Sequence, residues 1–262
     1  MDEKYVSIIM SEYNTKVDQF HRSIESVLNQ TYKFFELIII DDCGKNNVEE
    51  LLKKYDDNRI VVYKNNENKG LAESLNFALK KSKYEYIMRM DTDDIAVENR
   101  LEKQIEFAKK NPQYSIIGGR YIAFNEKEEV FESNFFGEVK KEDFLFGTPF
   151  AHPTLLLKKE DLLKIGGYPD YKRCQDYAME MNMYANGYKG YIMNDILLKY
   201  RQEDDSYKKR SYKVRIIEYK VRKKFFKKLK IPFYKRFVYE LKPLVIGLIP
   251  MKLQQIYHEK VK

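Results

Sequence analysis

Through its first hundred residues the chain alternates short apolar runs with stretches of helical period, and the runs end in polar or acidic groups. Residues 6–10 lead into Glu12, Tyr13 and Asn14, residues 35–40 into Asp41 and Asp42, and residues 85–90 into Asp91, Asp93 and Asp94. Between them Val17, Phe20, Ile24, Val27 and Leu28 recur at helical spacing, as do apolar positions in 48–55 and 71–81. A fourth run, 60–63, fits the same alternation. Strands joined through helices must lie parallel, with helices covering both faces of the sheet. The expected class is therefore α/β with a mostly parallel central sheet. Ligands of such sheets bind beyond the carboxyl ends of the strands, which is where these polar groups converge.

The acid cluster carries the most chemistry. Alternating apolar residues from Tyr86 to Met90 read as a buried strand that delivers carboxylates to the sheet edge. Two acids at i and i+2 are hard oxygen ligands, suited to holding Mg²⁺ or Mn²⁺ against phosphates. An Asp-x-Asp is common by chance in a chain with 34% charged residues. An acidic turn capping the next helix is the plain alternative.

Beyond the cluster, the pattern predicts a helix over 97–110 and a strand over 114–124. An irregular, aromatic-rich stretch follows over 125–150, then an apolar run at 155–157, a turn at 166–169 and a helix over 175–186. Two C-terminal helices are expected, a basic one over 207–230 and one with an apolar stripe over 237–258. Residues 207–236 hold fourteen Lys or Arg against Glu218 alone. With +2 on residues 237–262, the first 206 carry the balance, −7, of a chain whose net charge is +8. The expected division is an acidic body, 1–206, and a basic helical extension, 207–262. Two cysteines, Cys43 and Cys174, make no disulfide framework and suit a reducing compartment. No signal peptide or membrane-spanning run is visible, so the expected location is cytoplasmic.

Taken in order, several segments resemble the family 2 glycosyltransferases, nucleotide-sugar enzymes of the GT-A (Rossmann-like) fold. They are Val6-Ser7-Ile8-Ile9-Met10-Ser11-Glu12-Tyr13-Asn14, Glu36-Leu37-Ile38-Ile39-Ile40-Asp41-Asp42, Asn68-Lys69-Gly70, Arg89-Met90-Asp91-Thr92-Asp93-Asp94, His152-Pro153-Thr154, Gly166-Gly167-Tyr168, Gln175-Asp176-Tyr177 and Tyr200-Arg201. The resemblance spans roughly residues 5–201 and is strongest to the branch that builds bacterial surface polysaccharides. It implies that Glu12, Tyr13, Asn14, Asp41, Asp42, Asn68, Gly70, Arg89 and Asp91 form the donor pocket. Asp91 and Asp93 would hold Mn²⁺ or Mg²⁺, and Asp176 would be the general base of an inverting transfer. A UDP-sugar is the favoured donor, and a glycan or lipid-linked sugar the acceptor.

Two rivals stand beside this reading. A haloacid-dehalogenase-type phosphatase also places Asp-x-Asp at a strand end, but wants Thr or Val where Ile95 stands, and on the first strand rather than the fourth. A degenerate, non-catalytic GT-A module is the other, since Gln175 stands where Glu usually precedes the base. For the basic segment 207–236, Tyr207, Tyr212, Ile216, Ile217, Tyr219, Phe225, Phe226, Leu229 and Phe233 interleave with the charges, and the apolar stretch 244–251 is expected to dip shallowly into lipid without spanning it. An interfacial helix on an anionic membrane, at the inner face of the cell membrane, is the expected role. Nucleic acid is not an expected partner, because no binding motif accompanies the charge. His152 is expected to be structural.

Overall fold

The computed structural model describes residues 4–125, 128–202 and 211–249. Ten strands form one sheet: β1 (Val6–Glu12), β2 (Phe35–Asp41), β3 (Ile60–Lys64), β4 (Tyr86–Arg89), β5 (Ile95–Ala96), β6 (Tyr114–Phe124), β7 (Glu129–Glu132), β8 (Gly137–Glu138), β9 (Leu156–Lys158) and β10 (Lys189–Arg201). The helices are α1 (Val17–Leu28), α2 (Val48–Leu52), α3 (Leu71–Lys81), α4 (Arg100–Lys110), α5 (Lys159–Lys164), α6 (Gln175–Ala185), α7 (Tyr212–Lys228) and α8 (Phe233–Leu248).

The spatial order is β3-β2-β1-β4-β9-β6-β10-β5, with β7 beside β6 and β8 beside β10. β1 pairs in parallel with both β2 and β4, and β2 with β3. The chain thus winds outward from β1 to one edge and then crosses back to β4. The crevice at that reversal, beyond the carboxyl ends of β1 and β4, is where a doubly wound sheet binds its ligand. β9 runs antiparallel between β4 and β6, and the long β6–β10 ladder is again parallel. Apolar side chains fill both faces, with Ile9, Ile38, Ile40, Ile87 and Leu157 on one and Ile8, Met10, Leu37, Ile39 and Met88 on the other. Consecutive residues take opposite faces, which is why these runs read as continuously apolar.

Several boundaries differ from expectation. The helix expected from 97 begins at Arg100, because residues 95–96 form a short strand against β10 and Val97 N–H donates to the Leu197 carbonyl. α2 stops at Leu52, and the stretch 125–150 contains β7 and β8. No strand was expected over 189–201. Its polar interruption, Asn194-Asp195, sits where the β6–β10 register shifts, so the pairing skips the residues that break the sequence pattern. Gly119 on β6 faces that bulge, and any Cβ there would run into the Leu197 side chain. α7 begins at 212, and the expected segment 207–210 lies outside the described residues. α8 starts at Phe233, four residues early, after Pro232 at its N-cap; 250–258 of that expected helix also lies outside.

The largest correction concerns α7. Val221, Phe225, Phe226 and Leu229 are buried in the same cluster as Leu75, Tyr177 and Met179. Their i, i+4 spacing gathers them into one stripe against the body, leaving Lys220, Lys223, Lys224, Lys227 and Lys228 outside. Phe225, Phe226 and Leu229, expected to meet lipid from this helix, instead complete the core, while Tyr212 stays exposed. Arg215 and Arg222, both buried, pair with Glu218 at 3.3 and 2.9 Å.

Candidate active site

The chain leaves β4 into a loop that other elements hold tightly. Ser23 Oγ donates to the Asp91 carbonyl at 3.0 Å, and the Thr15 and Thr92 hydroxyls are 2.7 Å apart. Arg201 at the end of β10 donates its N–H to Asp94 Oδ1 (2.8 Å) and its Nε to the Asp93 carbonyl (3.0 Å). One oxygen each from Asp91, Asp93 and Asp94 lies within 4.8 Å of the others. Burial and the nearby Asp91 push the Asp93 carboxyl up to about 6, and burial with Asp91 and Asp93 raises Asp94 well above the carboxylate range. Asp94 Oδ2 is buried with no hydrogen-bond partner.

Three mutually repelling carboxylates, one with an orphaned oxygen, form an all-oxygen donor set. They fit a hard divalent cation such as Mg²⁺ or Mn²⁺. Arg89 makes a two-pronged ion pair with Asp91, Nη1 to Oδ2 at 2.8 Å and Nη2 to Oδ1. A carboxylate has about four acceptor sites, so Asp91 keeps capacity for a cation beside this pair. Arg89 is buried, so it reaches the site through Asp91 and not as a surface contact for a donor.

The first-strand loop and the loop after β2 are sewn together. Glu12 Oε1 accepts from Thr15 N–H (3.0 Å) and Asn46 Nδ2 (2.8 Å), while its buried Oε2 has no partner. Asn14 takes the left-handed conformation, φ 62°, and its Oδ1 accepts from Lys45 N–H at 2.7 Å. A Cβ on Gly44 would sit 2.9 Å from Asn14 N, so the two loops touch only because position 44 lacks a side chain. Tyr13 stands exposed at the mouth. Asp41 Oδ1 accepts from Cys43 N–H at 3.0 Å, with Lys64 Nζ 3.5 Å from Oδ2.

Asp42 was expected to face a nucleotide, but its carboxylate is consumed internally. Oδ1 accepts from Asn65 Nδ2 (2.7 Å) and Lys69 N–H (2.9 Å), and Oδ2 from Asn68 Nδ2 (2.9 Å) and Gly70 N–H (2.8 Å). All four acceptor sites are filled. Asp42, Asn68 and Gly70 therefore form a knot that starts α3, with Gly70 at φ 86° as its N-cap.

Asp176 enters from the other half of the chain, in the first turn of α6. Burial raises its carboxyl, the Tyr177 N–H hydrogen bond and the Arg89 charge lower it, and Asp91 raises it again. Two acids 85 positions apart in sequence thus act on each other electrostatically. The phenol of Tyr168 is raised, by burial most, and Arg89, Asp176, Glu180 and Asp91 all act on it. Its hydroxyl is 3.1 Å from His152 Nε2, and Asn76 clamps its backbone with two 2.8 Å bonds. His152, buried against Tyr168 and Arg89, is held well below its ordinary range by burial first.

Sequence reasoning missed Glu180, one turn beyond Asp176 and fully buried. Burial and then Asp176 push its carboxyl well above the usual range. Its Oε2 accepts from Thr148 Oγ1 at 2.7 Å, and Oε1 has no partner. An acid between Met179 and Met181 in a buried helix was the available signal. Tyr200 was also missed as a link. It is raised by burial and then by Asp91 and Asp94, and it packs edge-on to Tyr121 at 5.7 Å. Tyr121 in turn borders Phe131 and lines a small cleft of about 190 Å³ with Phe131, Ser133 and Phe135.

The model of the family "Glycosyl transferase family 2" matches residues 7–168. The chain belongs to that family. The matched segment ends at Tyr168, so Asp176 and Glu180 lie just beyond it. Among curated relatives, WfaP of Escherichia coli, named UDP-Glc:alpha-D-GlcNAc-diphosphoundecaprenol beta-1,3-glucosyltransferase, is 34% identical over 75% of this transferase and 76% of WfaP. Among solved structures, S. aureus TarS 1-349 in complex with UDP-GlcNAc superposes with TM-score 0.72 at 18% identity, covering 93% of this transferase and 71% of that chain. The mannosyltransferase PcManGT of Pyrobaculum calidifontis, in complex with GDP-Man and Mn²⁺, gives 0.66 at 14% identity over 99% and 81%. The transferase has the GT-A fold, as its motifs implied.

Proposed function

We propose that this transferase moves a sugar from a nucleotide-sugar, a UDP-sugar foremost, to a glycan or lipid-linked acceptor, with inversion at the anomeric carbon and dependence on a divalent metal. The observation that carries the reading is three clustered carboxylates at the end of β4 together with a half-buried carboxylate, Asp176, near enough for the Asp91 and Arg89 charges to act on it. WfaP's name pairs a UDP-sugar with a sugar on a lipid diphosphate, TarS holds UDP-GlcNAc, and PcManGT holds a nucleotide-sugar with Mn²⁺. All three support this reading. A step in building a surface polysaccharide fits such an acceptor.

Bound Mn²⁺ or Mg²⁺ at Asp91, Asp93 and Asp94 supplies positive charge against the donor's diphosphate, which must accept an electron pair as it leaves. Arg89 keeps Asp91 oriented for that task. Glu12, Tyr13, Asn14 and Asp41 frame the base and ribose at the crevice mouth, and the Asp42 knot with Asn68 and Gly70 holds that wall in shape. Asp176 accepts the proton of the acceptor hydroxyl as its oxygen bonds to the anomeric carbon. The anomeric carbon–phosphate oxygen bond breaks, and its electrons go to the nucleoside diphosphate. The raised carboxyl of Asp176 makes it a better proton acceptor than an exposed aspartate. Tyr121, Phe131 and Phe135 offer ring faces for an acceptor sugar. The basic segment 207–236 attaches the enzyme to an anionic membrane, on the inner face of the cell membrane.

Turnover of UDP-sugars by the wild type and by Asp176→Asn tests the reading. The expected result is a loss of at least about a hundredfold in turnover with UDP binding retained. Equal turnover would remove Asp176 as the base. Nucleotide binding with no turnover in either protein would favour the non-catalytic module.

A further inference from the structure

With the apolar stripe of α7 buried in the core, the exposed apolar residues of the C-terminal helices, Tyr212 apart, lie on α8. We propose that the outer face of α8 lies in the interfacial layer of an anionic lipid surface, and that α7 supplies charge without inserting. The inference rests on the membrane reading of the basic segment and moves its apolar anchor from α7 to α8.

Phe233, Tyr234, Phe237, Val238, Val245 and Leu248 are each between 50% and 74% exposed. At 100° per residue they fall on one arc of roughly 140°. Lys235 and Lys242, both exposed, run along one border of that arc. The opposite face is occupied: Glu240 and Pro243 are buried, and a Cβ on Gly247 would lie 2.8 Å from the Tyr212 ring. Six large apolar side chains on one helix face make a patch on the order of several hundred Å², above what scattered surface residues produce.

Charge decides between possible occupants. Within 211–249 nine lysines are exposed, while Glu218 and Glu240 are paired to arginines. A second copy docked through the same face would bring both lysine sets together, an arrangement that like-charge repulsion opposes. An anionic bilayer instead satisfies the apolar arc and the surrounding cations at once. At 16 residues α8 is about 24 Å long, and among the described residues no helix is long and apolar enough to cross a membrane. It lies on the surface. The hairpin also sits directly behind the α6 helix that carries Asp176. Arg222 Nη1 donates to the Leu145 carbonyl at 2.9 Å and its guanidinium lies 5.4 Å from the Tyr177 ring. Phe146 meets Tyr239 of α8 edge-on at 5.4 Å. A membrane-bound α8 would therefore hold the acceptor-proton end of the crevice near the bilayer, within reach of a lipid-linked sugar.

The chain has no tryptophan, so Phe237→Trp places a single reporter on the proposed face. Full-length protein is mixed with phosphatidylcholine vesicles, with and without phosphatidylglycerol, and both emission and co-sedimentation are followed. The expected result is a blue shift only with the anionic vesicles, and roughly a tenfold fall in the bound fraction for Val238→Glu/Val245→Glu. Lys223→Glu/Lys227→Glu should weaken binding in a salt-dependent way without changing the emission of what remains bound. Co-sedimentation with no blue shift, and no effect of the glutamates, would overturn the α8 face while leaving attachment by charge. No binding of the wild type to anionic vesicles would overturn attachment itself. A dimer by light scattering that Val238→Glu/Val245→Glu splits would assign the face to a second copy, against the proposal. None of these readouts uses sugar transfer, so they stand or fall apart from the catalytic reading.

Discussion

Replacing Glu180 with glutamine should stabilise this protein near pH 8 and lose that advantage as pH falls toward 4. Glu180 is fully buried, one oxygen accepts from Thr148 at 2.7 Å and the other has no partner. Burial, then the nearby Asp176, raises its carboxyl in the folded state. An acid whose folded pKa lies above its unfolded value binds its proton more tightly when folded. Its contribution is therefore present below the unfolded pKa, about 4.3, and lost as pH rises through the folded pKa. Each unit of upward shift corresponds to about 1.4 kcal/mol at the high-pH limit. Glutamine keeps an acceptor for Thr148 and does not titrate, but it leaves an amide donor to be satisfied, which costs about 1–3 kcal/mol. Near pH 4 that cost dominates and Glu180→Gln should be neutral or weaker than wild type. By pH 8 the ionisation cost in the wild type should outweigh the amide cost, leaving the variant the more stable of the two. Urea denaturation of both proteins at pH 4.5, 6 and 8 measures the difference. A difference that does not change with pH, or that favours wild type more strongly at pH 8, would refute the claim that a raised buried carboxyl sits behind Asp176.

Three further outcomes follow from the packing. Phe226→Ala should cost about 3–5 kcal/mol in chemical denaturation, because that ring completes the main core, whereas a helix held only by its charges would lose almost nothing. Asp42→Ala leaves two buried or half-buried backbone N–H groups and two asparagine amides short of an acceptor, so thermal denaturation should show a loss of about 2–4 kcal/mol. Unchanged melting with weakened UDP binding would instead make Asp42 a nucleotide contact. Arg89→Lys keeps the charge but gives up the two-pronged grip on Asp91, and turnover should fall roughly tenfold or more with little change in UDP affinity.

The parts of the fold that were legible are those where one period runs uninterrupted. β1 to β4, α1 to α4 and the converging strand ends follow from continuous apolar runs and i, i+4 stripes, apart from shifts of a few residues at their ends, while the two-residue β5 is too short to show a period. β10 was hidden because Asn194 and Asp195 break its pattern where the ladder bulges. At α7 the stripe was visible but its destination was not: Val221, Phe225 and Phe226 look the same whether they meet lipid or the neighbouring α6. α8 carried the exposed face, and its start at Phe233 was hidden in a segment read for its charge. In the site, residue types were readable and their partners were not. Asp41 and Asp42 are adjacent acids leaving one strand, so they point to opposite sides, and only the structure shows that Asp42 closes the α3 knot. Likewise an arginine two positions before Asp91 gives no sign in sequence that it is buried beneath it, and Glu180 becomes conspicuous only when its burial and its unpartnered oxygen are seen together.

The proposed transfer depends on the carboxylates at the end of β4 holding a divalent cation against a nucleoside diphosphate. Isothermal titration of UDP into the wild type and into Asp91→Ala/Asp93→Ala, with and without Mn²⁺, tests it most directly. Mn²⁺ should tighten UDP binding roughly tenfold or more in the wild type and leave the double variant unaffected. Equal UDP affinity with and without Mn²⁺ in the wild type, or the same Mn²⁺ enhancement in both proteins, would contradict it.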